Sequence, residues 1–237
     1  MDIEFTPPPP TGRRFRQRAQ VHLADAGPDG RLRVDGLVRF LQDVATDDWS
    51  DTGVRDGTTW VVRRTALRLV EGEHWPMLNT VVILDTWCSG SGAAWAERRT
   101  DLLIDDTVVA HASALWVPLD PQGRPRRISP AFQQVYAEAA QGRKVSGRIR
   151  SPGLPNDAVI TPWALRKADL DIVDHVNNAV AWAAIVEVAS GPVASAVLLH
   201  HAPLVAGDQV ELHATDSGVW LTVAGEVRVS ARFRTFR

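Results

Sequence analysis

The sequence predicts an α+β protein: two tandem copies of one unit, each a curved antiparallel sheet wrapped around a helix. Three observations carry this. Of 237 residues, 45% are hydrophobic and 23% charged, an average globular composition that excludes a disordered chain and supplies enough apolar surface for a real core. The apolar spacing switches along the chain between the helical period and the alternating period of strands. The order strand, helix, run of strands then occurs twice, which is the pattern of an internal duplication.

The elements follow in order. Residues 1–12 hold Pro7, Pro8, Pro9 and Pro10 and are expected to form an extended or disordered tail. Residues 15–23 alternate polar and apolar as a half-buried strand does, and 25–30 carry turn chemistry. Leu37, Phe40, Leu41, Val44 and Ala45 fall at i, i+3, i+4, i+7 and i+8, an apolar helical stripe that ends before Gly53. Four strands follow. They cover 60–67, 80–87 (running into Ser89-Gly90-Ser91-Gly92), 95–104 and 108–119, rich in Val and Trp and separated by turns. Ser129-Pro130 opens a short helix to 141, with Pro at its first position. Residues 142–157, rich in Arg, Ser, Gly and Pro, form a linker. The second copy has a strand at 160–166, an acidic loop at 168–175 and an apolar helix at 176–189. Its strands are expected at 193–201, 209–214, 219–223 and 226–236. The division is therefore a unit at 13–130, a helix and linker at 131–157, and a unit at 158–237.

Composition excludes several functions. The 26 basic and 28 acidic residues leave a net charge of −2, with no polyelectrolyte field to hold a nucleic acid. A single cysteine, Cys88, forms neither an internal disulfide nor a cysteine-rich zinc site. The longest apolar run, 179–189, is broken by Glu187 and falls short of the ~20 residues a bilayer span requires. With no apolar segment behind its N-terminus, the chain is expected to be soluble and cytoplasmic. Nine tryptophans and a near absence of lysine (only Lys144 and Lys167) identify no function by themselves.

The chemistry concentrates in Asp169-Leu170-Asp171-Ile172-Val173-Asp174-His175-Val176-Asn177-Asn178. An acid-rich loop here delivers a histidine and two asparagines to the start of an apolar helix. That helix end offers unpaired N–H groups and partial positive charge, suited to an oxyanion. Asp171 is then placed to act as base or nucleophile and His175 to orient or transfer protons. The plainer alternative is capping, with Asn177 as an N-cap and His175 as a hydrogen-bonded structural histidine.

The stretch Asp-x-x-x-His-Val-Asn-Asn, with a strand before it and a buried helix after it, resembles the hot-dog thioesterases. More closely, the chain is similar to the acyl-ACP thioesterase family, which carries two hot-dog folds in tandem. Supporting patches in the first half are residues 36–53, Trp60-Val61-Val62-Arg63-Arg64, Thr86-Trp87-Cys88-Ser89-Gly90 with Glu97-Arg98-Arg99, and Ser113-Ala114-Leu115-Trp116-Val117 with 124–128. The resemblance covers roughly 15–236. It implies hydrolysis of a fatty acyl thioester on acyl carrier protein or coenzyme A, with Asp171, His175 and Asn177 in the site and no cofactor or metal. It leaves open a homodimer of the double unit. The first half would shape the acyl pocket.

Three positions depart from the family pattern. The family's loop Asn is Val173 here, and its later Glu-Cys pair falls on Leu204 and Val205. The alternative is therefore a non-catalytic acyl-thioester-binding or regulatory protein. Asp174, His200 and His201 are the nearest polar substitutes, although His200 and His201 on one strand point to opposite faces. A hot-dog dehydratase is disfavoured by the His-Val-Asn-Asn signature. Asp43, Asp47 and Asp48 are expected at the solvent face of the first helix, Cys88 as an idle packed thiol, and the Ser-Gly repeat as a turn rather than a phosphate loop. Arg63, Arg64, Arg98, Arg99, Arg124, Arg126 and Arg127 are candidates to steer an acidic carrier, against the alternative of a solvated strand face.

Overall fold

The structure, a computed structural model, describes residues 4–72 and 74–236. The first half contains β1 (Arg14–Gln20), α1 (Val34–Asp51), β2 (Thr59–Leu69), β3 (Val81–Ser91), β4 (Ala96–Ile104), β5 (Thr107–Leu119) and α2 (Pro130–Ala140). The second contains β6 (Val159–Trp163), α3 (Asn178–Val188), β7 (Val193–His200), β8 (Val210–Thr215), β9 (Gly218–Val223) and β10 (Glu226–Thr235). All ten strands join one antiparallel sheet in the order β1-β3-β4-β5-β2-β7-β10-β9-β8-β6. The order 1-3-4-5-2 returns as 6-8-9-10-7, so the duplication expected from the element order is a duplication of topology. The halves meet where β2 pairs with β7, from Arg64↔Leu199 to Arg68↔Ser195.

The alternation of each strand sends one set of side chains to an inner face and the other to an outer face. Leu67, Leu84, Leu102 and Ala112 line the inner face of the first half against Leu37, Leu41 and Val44 of α1. Burying each such Leu or Val contributes roughly 1.5–3 kcal/mol. Helix α3 has apolar residues all round and buries Ala181, Trp182, Ala184 and Ile185 against the inner face of the second half and against α1, as an enclosed helix must. The loop into α1 passes so close that a Cβ on Gly36 would lie 2.9 Å from the Asp25 carbonyl oxygen. Helix α2 starts with Pro130 and a Ser129 Oγ that accepts from Phe132 N–H at 3.2 Å. It buries Phe132 and Tyr136 beside Cys88 and Ala96.

Several expectations shift. Strand β1 stops at Gln20, although Val21 is still paired to the β2–β3 connection through Val21 N–H to Thr80 O (3.0 Å) and Asn79 N–H to Val21 O (2.9 Å). Residues 4–9 of the tail lie outside any helix or strand, and 10–12 bend, with Gly12 at φ 89°. Phe5 packs over the guanidinium groups of Arg68 and Arg99, at 4.6 and 4.5 Å from the ring centroid. The linker at 142–157 is a strap laid on the outer face. It is held by Trp95 Nε1–H to Val145 O (2.8 Å) and Trp220 Nε1–H to Pro152 O (3.1 Å).

The arginines divide in the same way. On the outer face Asp85 takes Arg14 and Arg16, Glu97 takes Arg64 (3.0 Å) and Arg143 (2.6 Å), and Asp101 takes Arg99 (3.3 Å) and His111 (2.8 Å). Arg98 projects inward, to Asp48 at 2.7 Å. Arg64, Arg98 and Arg99 are thus internal ion-pair partners and not a docking surface. Burial lowers Arg99 to about 10, against the opposing pull of Asp101 and Glu97.

Candidate active site

The loop between β6 and α3 is built from its own polar groups. A 3-10 turn at Lys167–Asp169 is closed by Asp169, whose buried carboxylate accepts from Arg166 N–H at 2.8 Å and pairs with the Arg166 guanidinium at 2.7 Å. Those bonds hold the Asp169 carboxyl below its ordinary range against the opposing effect of burial. Asp171 then folds the next residues around itself. Its Oδ1 accepts from the N–H groups of Val173 (2.9 Å) and His175 (3.2 Å), and its own N–H donates to His175 O at 2.7 Å. Asp174 takes the left-handed conformation at φ 58° to close the turn. The structure therefore brings Asp171 and His175 together, backbone to side chain, with Asp171 Oδ2 and the His175 ring unpartnered among the described residues.

Tertiary hydrogen bonds also fix where the helix begins. Val176 N–H donates to Leu204 O (2.8 Å) and Asn177 N–H to Asp169 O (2.8 Å), so α3 opens at Asn178, two residues later than its apolar run suggests. Asn177 is the N-cap, with Oδ1 accepting from Ala179 N–H at 2.9 Å, and Val180 N–H reaches Asn177 O at 2.9 Å. In the run 175–180 this leaves the Asn178 N–H as the amide without an acceptor among the described residues. Sequence reasoning put Asn177 in the site. Geometry occupies that side chain with capping and gives the cavity-facing place to Asn178, a distinction the doubled asparagine alone does not carry.

Asn178 lines a small cavity, about 20 Å³, on the inner face of the first half, with Leu41, Gln42, Thr65, Arg98 and Trp116. That volume is room for roughly one water molecule. Gln42, Arg98 and Trp116 are among the residues sequence reading did not assign to the site. They come from α1, β4 and β5, and only the sheet order brings them to the start of α3. Asp43 is exposed, as expected. Asp48, expected at the solvent face, is buried and holds Arg98.

The three departures from the family pattern lie around this loop. Val205 forms a bridge with His175, so the segment after β7 does run beside the histidine. Leu204 is 3% exposed and belongs to the core, while Val173 and Val205 are exposed. His200, the last residue of β7, is pushed down to about 3 by burial, then by Arg63 and His201. Its Nε2 has no hydrogen-bond partner among the described residues. His201 Nε2 lies 2.9 Å from Ser230 Oγ. Burial pushes the Cys88 thiol up to about 11, so it carries no thiolate at neutral pH. Among the described residues no group of three His, Cys, Asp or Glu is placed to hold a metal, and no helix is long and apolar enough to cross a membrane.

Two sheet-on-helix units fused edge to edge, with the polar loop of one opening at the inner face of the other, define a double hot-dog protein. Residues 12–138 match the family described as the acyl-ACP thioesterase N-terminal domain, and the chain belongs to the acyl-ACP thioesterase family. An uncharacterized Mycobacterium tuberculosis protein is 22% identical over 246 residues, covering 99% of this chain and 97% of that one. The chloroplastic oleoyl-acyl carrier protein thioesterase of Coriandrum sativum is 24% identical over 193 residues. That match covers 70% of this chain and 51% of the coriander protein, so the chain aligns with about half of that relative's length. The structure of the 12:0-ACP thioesterase from Umbellularia californica superposes with a TM-score of 0.75 at 18% identity, covering 94% of this chain and 97% of that one.

Proposed function

We propose that this protein hydrolyses fatty acyl thioesters carried on acyl carrier protein, at a site formed by the loop 169–178 and the inner face of the first half. The observation that carries the reading is the amide of Asn178, which has no acceptor among the described residues and opens α3 at a residue that lines the cavity. A thioester carbonyl seated there would place its developing oxyanion against that N–H and the positive end of the helix. Asp171, its Oδ1 held by two backbone amides and its Oδ2 free, would take a proton from the attacking water. His175 would return a proton to the departing thiol, so that the products are a fatty acid and the carrier thiol.

Asp171→Asn tests this more sharply than alanine. The amide oxygen can still accept from Val173 and His175, so the loop is kept and only the proton acceptor is lost. Hydrolysis of acyl-ACP and acyl-CoA panels should fall about 10²–10⁴-fold. Wild-type turnover in this variant would remove the mechanism. A second reading, acyl-thioester binding without hydrolysis, draws on Leu204 packed in the core and on Val173 and Val205 at the loop. Tight binding with no turnover by the wild-type chain would select it. Carrier docking falls to Arg63, Arg124, Arg126 and Arg127, since Arg64, Arg98 and Arg99 are committed internally.

A further inference from the structure

The outer face carries a second concavity, on the side of the sheet opposite α1 and α3. It occupies about 760 Å³ over the seam where β2, β7 and β10 lie side by side. Register places Arg68, Ser195 and Arg234 in one rank across the three strands, and Ala66, Val197 and Arg232 in the next. Residues directly opposed in a sheet share a face, so these side chains rise together. The strap supplies Arg150 from above, its path fixed by the bond from Trp220 to Pro152 O.

The charge in this groove is unlike that of the rest of the outer face. Four arginines line it, with no aspartate or glutamate among the described residues. Elsewhere on the outer face Arg14, Arg16, Arg64, Arg99 and Arg143 each have Asp85, Glu97 or Asp101 as a partner. Arg68, Arg150, Arg232 and Arg234 form no ion pair among the described residues. Aromatic rings brace two of them: Arg68 lies 4.6 Å from the Phe5 ring centroid and Arg232 5.3 Å from that of Trp220. Four like charges held close repel one another, and planar guanidinium forks match phosphate oxygens. A lone carboxylate would answer one of the four. The floor between the charges is apolar, formed by Val197 and Leu199, and the volume is that of a small-molecule site.

We propose that this groove binds a small molecule carrying two or more phosphate charges on a body with a flat, stackable ring, the chemistry of a nucleotide. The sheet separates it from the acyl-thioester site, so its occupant is not the thioester being cleaved there. Two sources share this chemistry, a free nucleotide and the nucleotide end of coenzyme A.

Calorimetric titration at fixed ionic strength tests the assignment, with adenosine diphosphate, coenzyme A, pyrophosphate and sulfate as probes. The nucleotides should bind, with pyrophosphate weaker and sulfate weakest. Arg68→Gln and Arg234→Gln should each weaken the nucleotides about tenfold or more, as loss of a charge-assisted contact does. Ser195→Asp, which sets a carboxylate between those two arginines, should abolish binding, and Asp171→Asn should leave it unchanged. Coenzyme A binding more tightly than adenosine diphosphate would identify the carrier nucleotide as the source, and the reverse order a free nucleotide. The proposal is overturned if neither nucleotide binds more tightly than sulfate, or if their affinity survives Arg68→Gln, Arg234→Gln and Ser195→Asp.

Discussion

Asp48→Asn isolates the buried charge that holds the cavity wall in place. Asp48 is 1% exposed and receives Arg13 Nε (2.7 Å), Arg98 Nη1 (2.7 Å) and Tyr136 Oη (2.7 Å), which tie α1 to β4 and α2. Arg13 keeps Asp51 as a second partner at 2.6 Å, but Asp48 is the carboxylate paired with Arg98. The amide preserves shape and removes charge, leaving the Arg98 cation without its carboxylate beside the cavity that Asn178 lines. Breaking a buried pair on one side costs about 3–5 kcal/mol. For a chain of 237 residues the unfolding entropy is about 0.5 kcal/mol/K, so each kcal/mol moves Tm by about 2 °C. The expected loss is therefore about 6–10 °C, read by calorimetry and matched by a lower urea midpoint. A shift under 2 °C would refute the view that Arg98 depends on this carboxylate.

Other substitutions probe the cavity, the strap and the seam. Trp116→Ala should lengthen the preferred acyl chain, because each newly buried methylene contributes about 0.8 kcal/mol and raises kcat/KM about fourfold. An unchanged chain-length profile would separate Trp116 from the acyl pocket. Gly147→Ala should destabilise by about 1–3 kcal/mol, since the new Cβ would lie 2.6 Å from Trp95 Cδ2. That cost should vanish in a Trp95→Leu background, and its persistence there would point away from the ring. His200 gives a pH dependence. Its folded value is depressed to about 3 from an unfolded value of about 6.5, so its contribution is complete above about 6.5 and is lost as pH falls toward 3. His200→Gln should flatten the slope of stability between pH 6.5 and 5, and parallel slopes in variant and wild type would contradict a buried neutral imidazole.

Much of the fold was legible because its signals are local. The stripe of Leu37, Phe40, Leu41 and Val44 faces the sheet as its spacing requires, and the turns after Ile104 and Leu119 end strands where the sequence says they do. The loop 169–178 also stood out locally, since acid, histidine and asparagine types cluster there. What was missed depends on residues far apart in sequence. Asp48 reads as a solvent residue until Arg13, Arg98 and Tyr136 converge on it. Arg64 and Arg99 look like a basic strand face until Glu97 and Asp101 are seen beside them. The start of α3 moves to Asn178, with Asn177 as its N-cap, because Leu204 and Asp169 claim the amides of Val176 and Asn177. Each of these outcomes is set by strand order, which spacing alone does not encode.

The ladder between β2 and β7 has a consequence for any attempt to divide the molecule. Cut within the strap, each fragment would end its sheet in a bare edge, with Arg64 to Arg68 on one and Ser195 to Leu199 on the other. An unpaired edge of that length templates pairing with another chain. Separately produced fragments should therefore seek each other or themselves, forming reassembled complexes, paired copies or aggregates. Covalent continuity makes the correct partner permanently available and removes concentration from the assembly problem.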